Sequence, residues 1–175
     1  MSDTAHTTES GSEQWLVTVC GLPGVGKSTT AEEIASRLDA TLLRTDTVRT
    51  DVVEDPTYED AEVWLVYGAL FERARARLAE GESVVLDGTF KTPDHRRRAE
   101  TIAGKHARSG ALVWVTCEES VARERIRNRT DDPSEADTRV YEELSAEFDP
   151  PADADLVVDN SGSIDEMHRQ IGELF

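Results

Sequence analysis

An unbroken run of strand-forming residues, Trp15–Cys20, leads directly into Gly21-Leu22-Pro23-Gly24-Val25-Gly26-Lys27-Ser28, and an amphipathic stretch follows at once. The eight residues fit G-x-x-x-x-G-K-[ST] without a gap, in the strand-to-helix context that gives this pattern its meaning. Gly21, Gly24 and Gly26 allow positive φ, so main-chain N–H groups can turn inward around phosphate oxygens. The N-terminus of the next helix adds its partial positive charge there. A glycine-rich strand-to-helix connection can be only a tight turn, but Lys27-Ser28 in this register points to nucleotide. Lys27 can reach β- and γ-phosphates, and the Ser28 hydroxyl can join the shell of a Mg²⁺ ion. The predicted nucleotide-binding set is Gly21, Leu22, Pro23, Gly24, Val25, Gly26, Lys27, Ser28 and Thr29.

The rest of the chain repeats the same alternation. Short β-branched runs are predicted at Trp15–Cys20, Thr41–Arg44, Ser83–Leu86, Ala111–Thr116 and Asp155–Val158. Helices are predicted at Ser28–Leu38, Glu59–Glu80, Asp94–Ser109, Glu119–Arg129, Ala136–Phe148 and Ile164–Leu174. Gly81 and Gly110 read as helix-terminating glycines, and Pro93 stands just ahead of the third helix. Within Glu59–Glu80, Val63, Val66, Leu70, Ala74 and Leu78 form one apolar stripe. Strands rich in Val and Leu, each with a crossover helix, predict an α/β fold with a parallel sheet covered on both faces. Residues 1–13 have no apolar period and read as a disordered tail, leaving residues 14–175 as the folded domain.

Three further elements suggest chemistry around the glycine-rich loop. Val84-Val85-Leu86-Asp87 is an apolar strand ending in a carboxylate, which can hold Mg²⁺ with Ser28 or can simply cap a turn. Thr45-Asp46-Thr47-Val48-Arg49 follows the second strand, so Asp46 falls at the sheet's carboxyl edge where a phosphate acceptor would lie. Asp46 is a candidate general base, with Arg49 on the same helical face as a candidate acceptor-binding group, although Asp46 can equally N-cap a helix. Arg123, Arg125, Arg127 and Arg129 crowd one helix ahead of a polar segment. Arg125 and Arg129 share a face and can close over phosphates as a lid spanning residues 119–137.

Taken in order, GLPGVGKST, the T-D-x-x-R of Asp46 and Arg49, VVLDGTF, and ERIRNR ahead of a D-x-S-E-A-like stretch resemble small kinases grouped with the AAA-family ATPases. These are similar to polynucleotide 5′-hydroxyl kinases, chloramphenicol phosphotransferase and zeta-toxin kinases. The resemblance runs from Trp15 to the FDPP segment near Pro150. It implies a three-layer P-loop fold with a five-stranded parallel sheet in the order 2-3-1-4-5 and a helical lid. It also implies Asp46 as general base, Arg49 beside it, Lys27 with lid arginines Arg125 and Arg129 on the transferring phosphoryl group, and Asp87 with Ser28 at the metal. ATP and Mg²⁺ are the implied cofactors, and the acceptor is a hydroxyl on a small molecule or a nucleic-acid 5′ end. The chain departs from polynucleotide kinases at Phe90 and Lys91, where those commonly carry a polar residue after D-x-T. It also shows neither the arginine-finger module nor the second helical domain of AAA ring motors.

Two other functional readings stay open on sequence alone. One is a nucleotide-binding regulatory ATPase without an acceptor. The other is a nucleic-acid-binding protein using His95-Arg96-Arg97-Arg98, a run whose ordinary explanation is a solvated helix face. No apolar stretch is long enough for a membrane span, and Cys20 and Cys117 supply neither a disulfide framework nor metal-ligand spacing, so a cytoplasmic location without an obligate protein partner is expected. The formal net charge is −17, from 36 acidic and 19 basic residues of which only Lys27, Lys91 and Lys105 are lysine. Abundant carboxylates with scarce lysine suit concentrated salt, where screening removes the self-repulsion of the charge. The alternative is an ordinary acidic cytosolic protein, and the magnitude of the charge favours the salt-adapted reading. Folding stability and activity are accordingly expected to rise as salt is raised toward molar. Thermal melting and turnover across a KCl series check this, and a maximum in dilute buffer would contradict it.

Overall fold

The computed structural model describes residues 13–129 and 135–175. The elements are β1 (Trp15–Cys20), α1 (Lys27–Leu38), β2 (Thr41–Arg44), α2 (Thr45–Val52), α3 (Asp60–Ala79), β3 (Val84–Asp87), α4 (Pro93–His106), β4 (Ser109–Thr116), α5 (Glu119–Asn128), α6 (Glu135–Glu147), β5 (Leu156–Asp159) and α7 (Ile164–Ile171). All five strands run parallel in one sheet, in the order β2-β3-β1-β4-β5. The α/β class and the 2-3-1-4-5 order are therefore as expected. No helix of the described residues is long and apolar enough to cross a membrane.

The period-2 alternation of each strand divides the core into two layers. Leu16 and Cys20 of β1, with Val84 and Leu86 of β3, pack against Val66, Leu70, Phe71 and Ala74 of α3 and Ala99 and Ile102 of α4. Val17 and Val19, with Val85, Val113, Val115, Leu156 and Val158, face the opposite way, onto Ala31 and Ile34 of α1 and Met167 and Ile171 of α7. The predicted stripe on α3 is the buried one, widened by Tyr67 and Phe71, with Val63 only half-buried at its N-terminal end. Gly81 has φ +87°, the left-handed turn that closes this helix.

Two local expectations are corrected. Thr45–Val52 is a full helix, α2, missing from the predicted helices although Asp46 and Arg49 are expected to share a helical face: of its eight residues only Val48 is buried, so there is no apolar stripe to read. The third predicted helix is shorter than expected, ending at His106, and β4 begins at Ser109, with only Ala107 and Arg108 between them. Gly110 is thus a strand residue and not a helix terminator. Its role is close approach, because a Cβ there would lie 2.7 Å from the Cβ of Ala103 on α4. Gly110→Val should push α4 off the sheet and cost about 1–3 kcal/mol, the usual range for overpacking. Urea denaturation measures this, and an unchanged midpoint would contradict the contact.

Candidate active site

The parallel sheet brings the carboxyl ends of β1, β2 and β3 together, and the predicted residues arrive there for that reason. In register, Asp87 at the end of β3 lies beside Val19 of β1 and Arg44 of β2. The loop between β1 and α1 wraps the same edge. Gly21, Gly24 and Gly26 have φ of 150°, 78° and 89°. Gly26 is constrained twice over, since a Cβ on it would also lie 1.9 Å from the Nδ2 of Asn160.

The loop is fastened from within and from behind. Lys27 Nζ donates across it to the Leu22 carbonyl at 2.9 Å. The Val25 carbonyl accepts from Asn160 Nδ2 at 2.9 Å and from an Arg125 amino group at 3.4 Å. Arg125 also donates to the Asn160 carbonyl at 2.8 Å. Asn160 follows β5 and is buried. Sequence reasoning does not single it out, and the only local signal is an Asn two residues after the predicted strand Asp155–Val158. Thr29, at the start of α1, is exposed.

Ser28 Oγ donates to Asp87 Oδ2 at 3.0 Å, so the two expected metal-binding oxygens are adjacent. Two hard oxygens suit Mg²⁺, which keeps several waters and binds through one or two protein groups plus phosphates. Burial raises the pKa of Asp87 above the usual carboxylate value; Lys27, the Ser28 hydrogen bond and Arg44 oppose that rise. Arg44 Nε is 3.8 Å from the same oxygen and also pairs with Glu32. Burial likewise lowers the pKa of Lys27, against the pull of Asp87 and then Asp46, with Arg129 adding to the lowering. One anionic ligand at this loop would relieve the desolvation of Lys27.

Asp46 is exposed on the first turn of α2 and close enough for its charge to act on Lys27 and Asp87. It is not the N-cap, a position held by Arg44 without a side-chain capping bond. Arg49 lies one turn on but is engaged: Nε donates to Glu62 Oε1 at 3.0 Å, in a pair whose side chains are 12% and 8% exposed. Its guanidinium also lies 4.6 Å from the ring centre of Tyr58. Glu62 accepts in addition from the Thr57 and Tyr58 amides, and these bonds, Thr57 first, hold its pKa below the usual value.

The lid residues divide. Arg125 is half-buried behind the loop, whereas Arg129, the C-cap of α5, is exposed and its charge acts on Lys27. Residues 130–134 of the expected lid, like the expected tail except for Glu13, lie outside the described residues. The basic run on α4 is not a uniform solvated face. His95 and Arg96 are buried, Arg97 pairs with Asp94 at 2.5 Å, and Arg98 lies 5.0 Å from the ring centre of Phe71.

Among solved structures, the chain is similar to the Mycobacterium tuberculosis APS kinase CysC in complex with AMPPNP and APS. They share 20% identity at a TM-score of 0.73, covering 93% of this chain and 97% of that one. It is similar to a gluconokinase from Sinorhizobium meliloti 1021, at 20% identity and a TM-score of 0.69 with 93% of both chains covered. It is also similar to Chaetomium thermophilum Kti12 in complex with ADP-AlF₃, at 17% identity and a TM-score of 0.68, covering 91% and 96%. These likenesses show that the chain shares the fold of those proteins, a five-stranded parallel α/β sheet in the order 2-3-1-4-5. Residues aligned over 145 positions are 32% identical to the uncharacterized protein Rv2004c of M. tuberculosis H37Rv and to its counterpart Mb2027c of Mycobacterium bovis, covering 75% of this chain. The chain spans 29% of the length of those relatives. The AAA_33 family model, described as an AAA domain, matches residues 16–151, and the chain belongs to that family.

Proposed function

We propose that this chain is an ATP- and Mg²⁺-dependent kinase that transfers the γ-phosphoryl group to a hydroxyl acceptor, with Asp46 as general base. The observation that carries the reading is an exposed carboxylate in the first turn of α2, two residues after Arg44, which lies in register with Asp87 at the sheet's carboxyl edge. A carboxylate facing the γ-phosphate is the group a kinase needs and a simple nucleotide switch does not.

In this reading the acceptor hydroxyl gives its proton to Asp46 as its oxygen attacks the γ-phosphorus. The bond from that phosphorus to the β–γ bridging oxygen breaks, and ADP leaves. Lys27 exchanges the Leu22 carbonyl for phosphate oxygens. Arg129, exposed at the end of α5, would turn onto the transferring group, while Arg125 acts from behind the loop, where it is bonded to Val25 and Asn160. Such preplaced cations are the main source of rate enhancement in phosphoryl transfer. Ser28 and Asp87 would hold Mg²⁺, which when bound supplies positive charge shared between the β- and γ-phosphates. Arg49, fixed by Glu62, would present its remaining nitrogens to the acceptor.

Asp46→Asn should leave ATP binding intact and lower phosphoryl transfer about 10²-fold or more, the range for loss of a general base. The measurement is an acceptor screen with labelled ATP at low and multimolar salt, including sugars, small alcohols and a 5′-hydroxyl oligonucleotide. Slow ATP hydrolysis with no labelled acceptor, unchanged by Asp46→Asn, would instead identify a regulatory ATPase. Lys27→Ala should weaken both nucleotide binding, read by calorimetry, and turnover. Nucleotide affinity equal to the parent's would remove Lys27 from the site.

A further inference from the structure

Phe90, three residues beyond Asp87, has φ +45°, a left-handed conformation disfavoured for any residue with a Cβ. Its ring is fully buried, so the turn it makes lies inside the protein. Both of its main-chain polar groups are held by side chains from other elements. The Phe90 N–H donates to the Tyr67 hydroxyl of α3 at 2.9 Å, and the Phe90 carbonyl accepts from an Arg96 amino group of α4 at 2.8 Å. Both bonds are buried.

The two holding side chains are themselves fixed. The His95 ring lies parallel to that of Tyr67, 3.9 Å away at 8°, and the Phe90 ring meets Tyr67 edge-on at 4.9 Å. Arg96 is 8% exposed, and among the described residues its hydrogen-bond partner is the Phe90 carbonyl, with no carboxylate paired to it. Arg96 also lines a cavity beside α4, yet its Nη1 turns inward to this one main-chain carbonyl, and the use of that bond is to fix the turn.

That use lies in the two residues between Asp87 and Phe90. Gly88 N–H donates to the Val19 carbonyl of β1, and the Thr89 carbonyl accepts from Gly21 N–H, both at 3.3 Å. The four-residue turn is thus joined to the base of the phosphate loop on one side and clamped by α3 and α4 on the other. Asp87, at its start, makes the hydrogen bond to Ser28.

We propose that Tyr67 and Arg96 are positioning residues for the metal side of the nucleotide site: by holding Phe90 left-handed, they set the Asp87 carboxylate against Ser28 and the Thr89 carbonyl against Gly21. Neither side chain is required to touch nucleotide or metal. The inference rests on the ATP and Mg²⁺ part of the reading above, not on the acceptor or on Asp46.

The test is calorimetric titration with AMPPNP, in excess MgCl₂ and again in EDTA, on the parent, Tyr67→Phe and Arg96→Lys. Tyr67→Phe removes one oxygen, and Arg96→Lys keeps the charge and loses the fork. Each should cut the Mg²⁺-dependent gain in AMPPNP affinity about tenfold, the lower end of the effect of removing a group that orients a metal ligand. Affinity in EDTA should change much less, a split that general loosening of the fold would not give. The full Mg²⁺-dependent gain in both folded variants would overturn the clamp. A parent with no Mg²⁺-dependent gain would instead overturn the nucleotide-site reading. Should either variant fail to give a cooperative melt, the parent still decides: amide exchange by NMR should show the Phe90 N–H strongly protected, and exchange at the rate of an open loop would refute the clamp.

Discussion

A loop that turns its amides toward a phosphate turns its carbonyls toward the protein, and each carbonyl so buried needs a donor. Much of the site can be understood from that requirement. The Leu22 carbonyl takes Lys27, the Val25 carbonyl takes Asn160 and Arg125, and the Gly26 carbonyl takes the amide and hydroxyl of Thr30. These donors come from α1, from α5 and from the end of β5. The loop is preorganised because three separate elements satisfy its rear face, and the sheet order 2-3-1-4-5 is what makes them neighbours.

Electrostatics follows the same geometry. The chain is strongly acidic overall, yet Lys27, Arg125 and Arg129 gather on the phosphate loop or the helix behind it. Desolvation works against both charged members of the centre, lowering the pKa of Lys27 and raising that of Asp87, and each supports the other's charged form. The arginine of α2 is matched within the fold, Arg49 by Glu62 in a nearly buried pair. Charge in this protein therefore acts by local pairing, and the net value describes the outer surface.

The phosphate loop was legible in the sequence because all its determinants are contiguous. The parallel sheet was legible because each strand is a short apolar run of its own. The eight-residue α2 was not, having one buried side chain and no period. Gly110 was misread because a glycine just beyond a helix-to-strand connection looks the same in sequence whether it ends the helix or lets the helix pack closely on the strand. Asn160, Glu62, Tyr67 and Arg96 were not assigned these roles because each acts through a specific contact with another segment. The separations are as different as 6 positions for Arg96 and Phe90 and 135 for Asn160 and Val25, and no spacing rule encodes such contacts.

The Asn160–Val25 contact also orders events during synthesis. Within this domain the phosphate loop is made well before Asn160, the residue that supports it from behind. A nascent chain that has emerged through β4 already contains every glycine of the loop and its lysine, but the Val25 carbonyl still lacks the Asn160 amide and β5 has not joined the sheet. The nucleotide loop of this chain thus completes its rear wall only when the final strand docks.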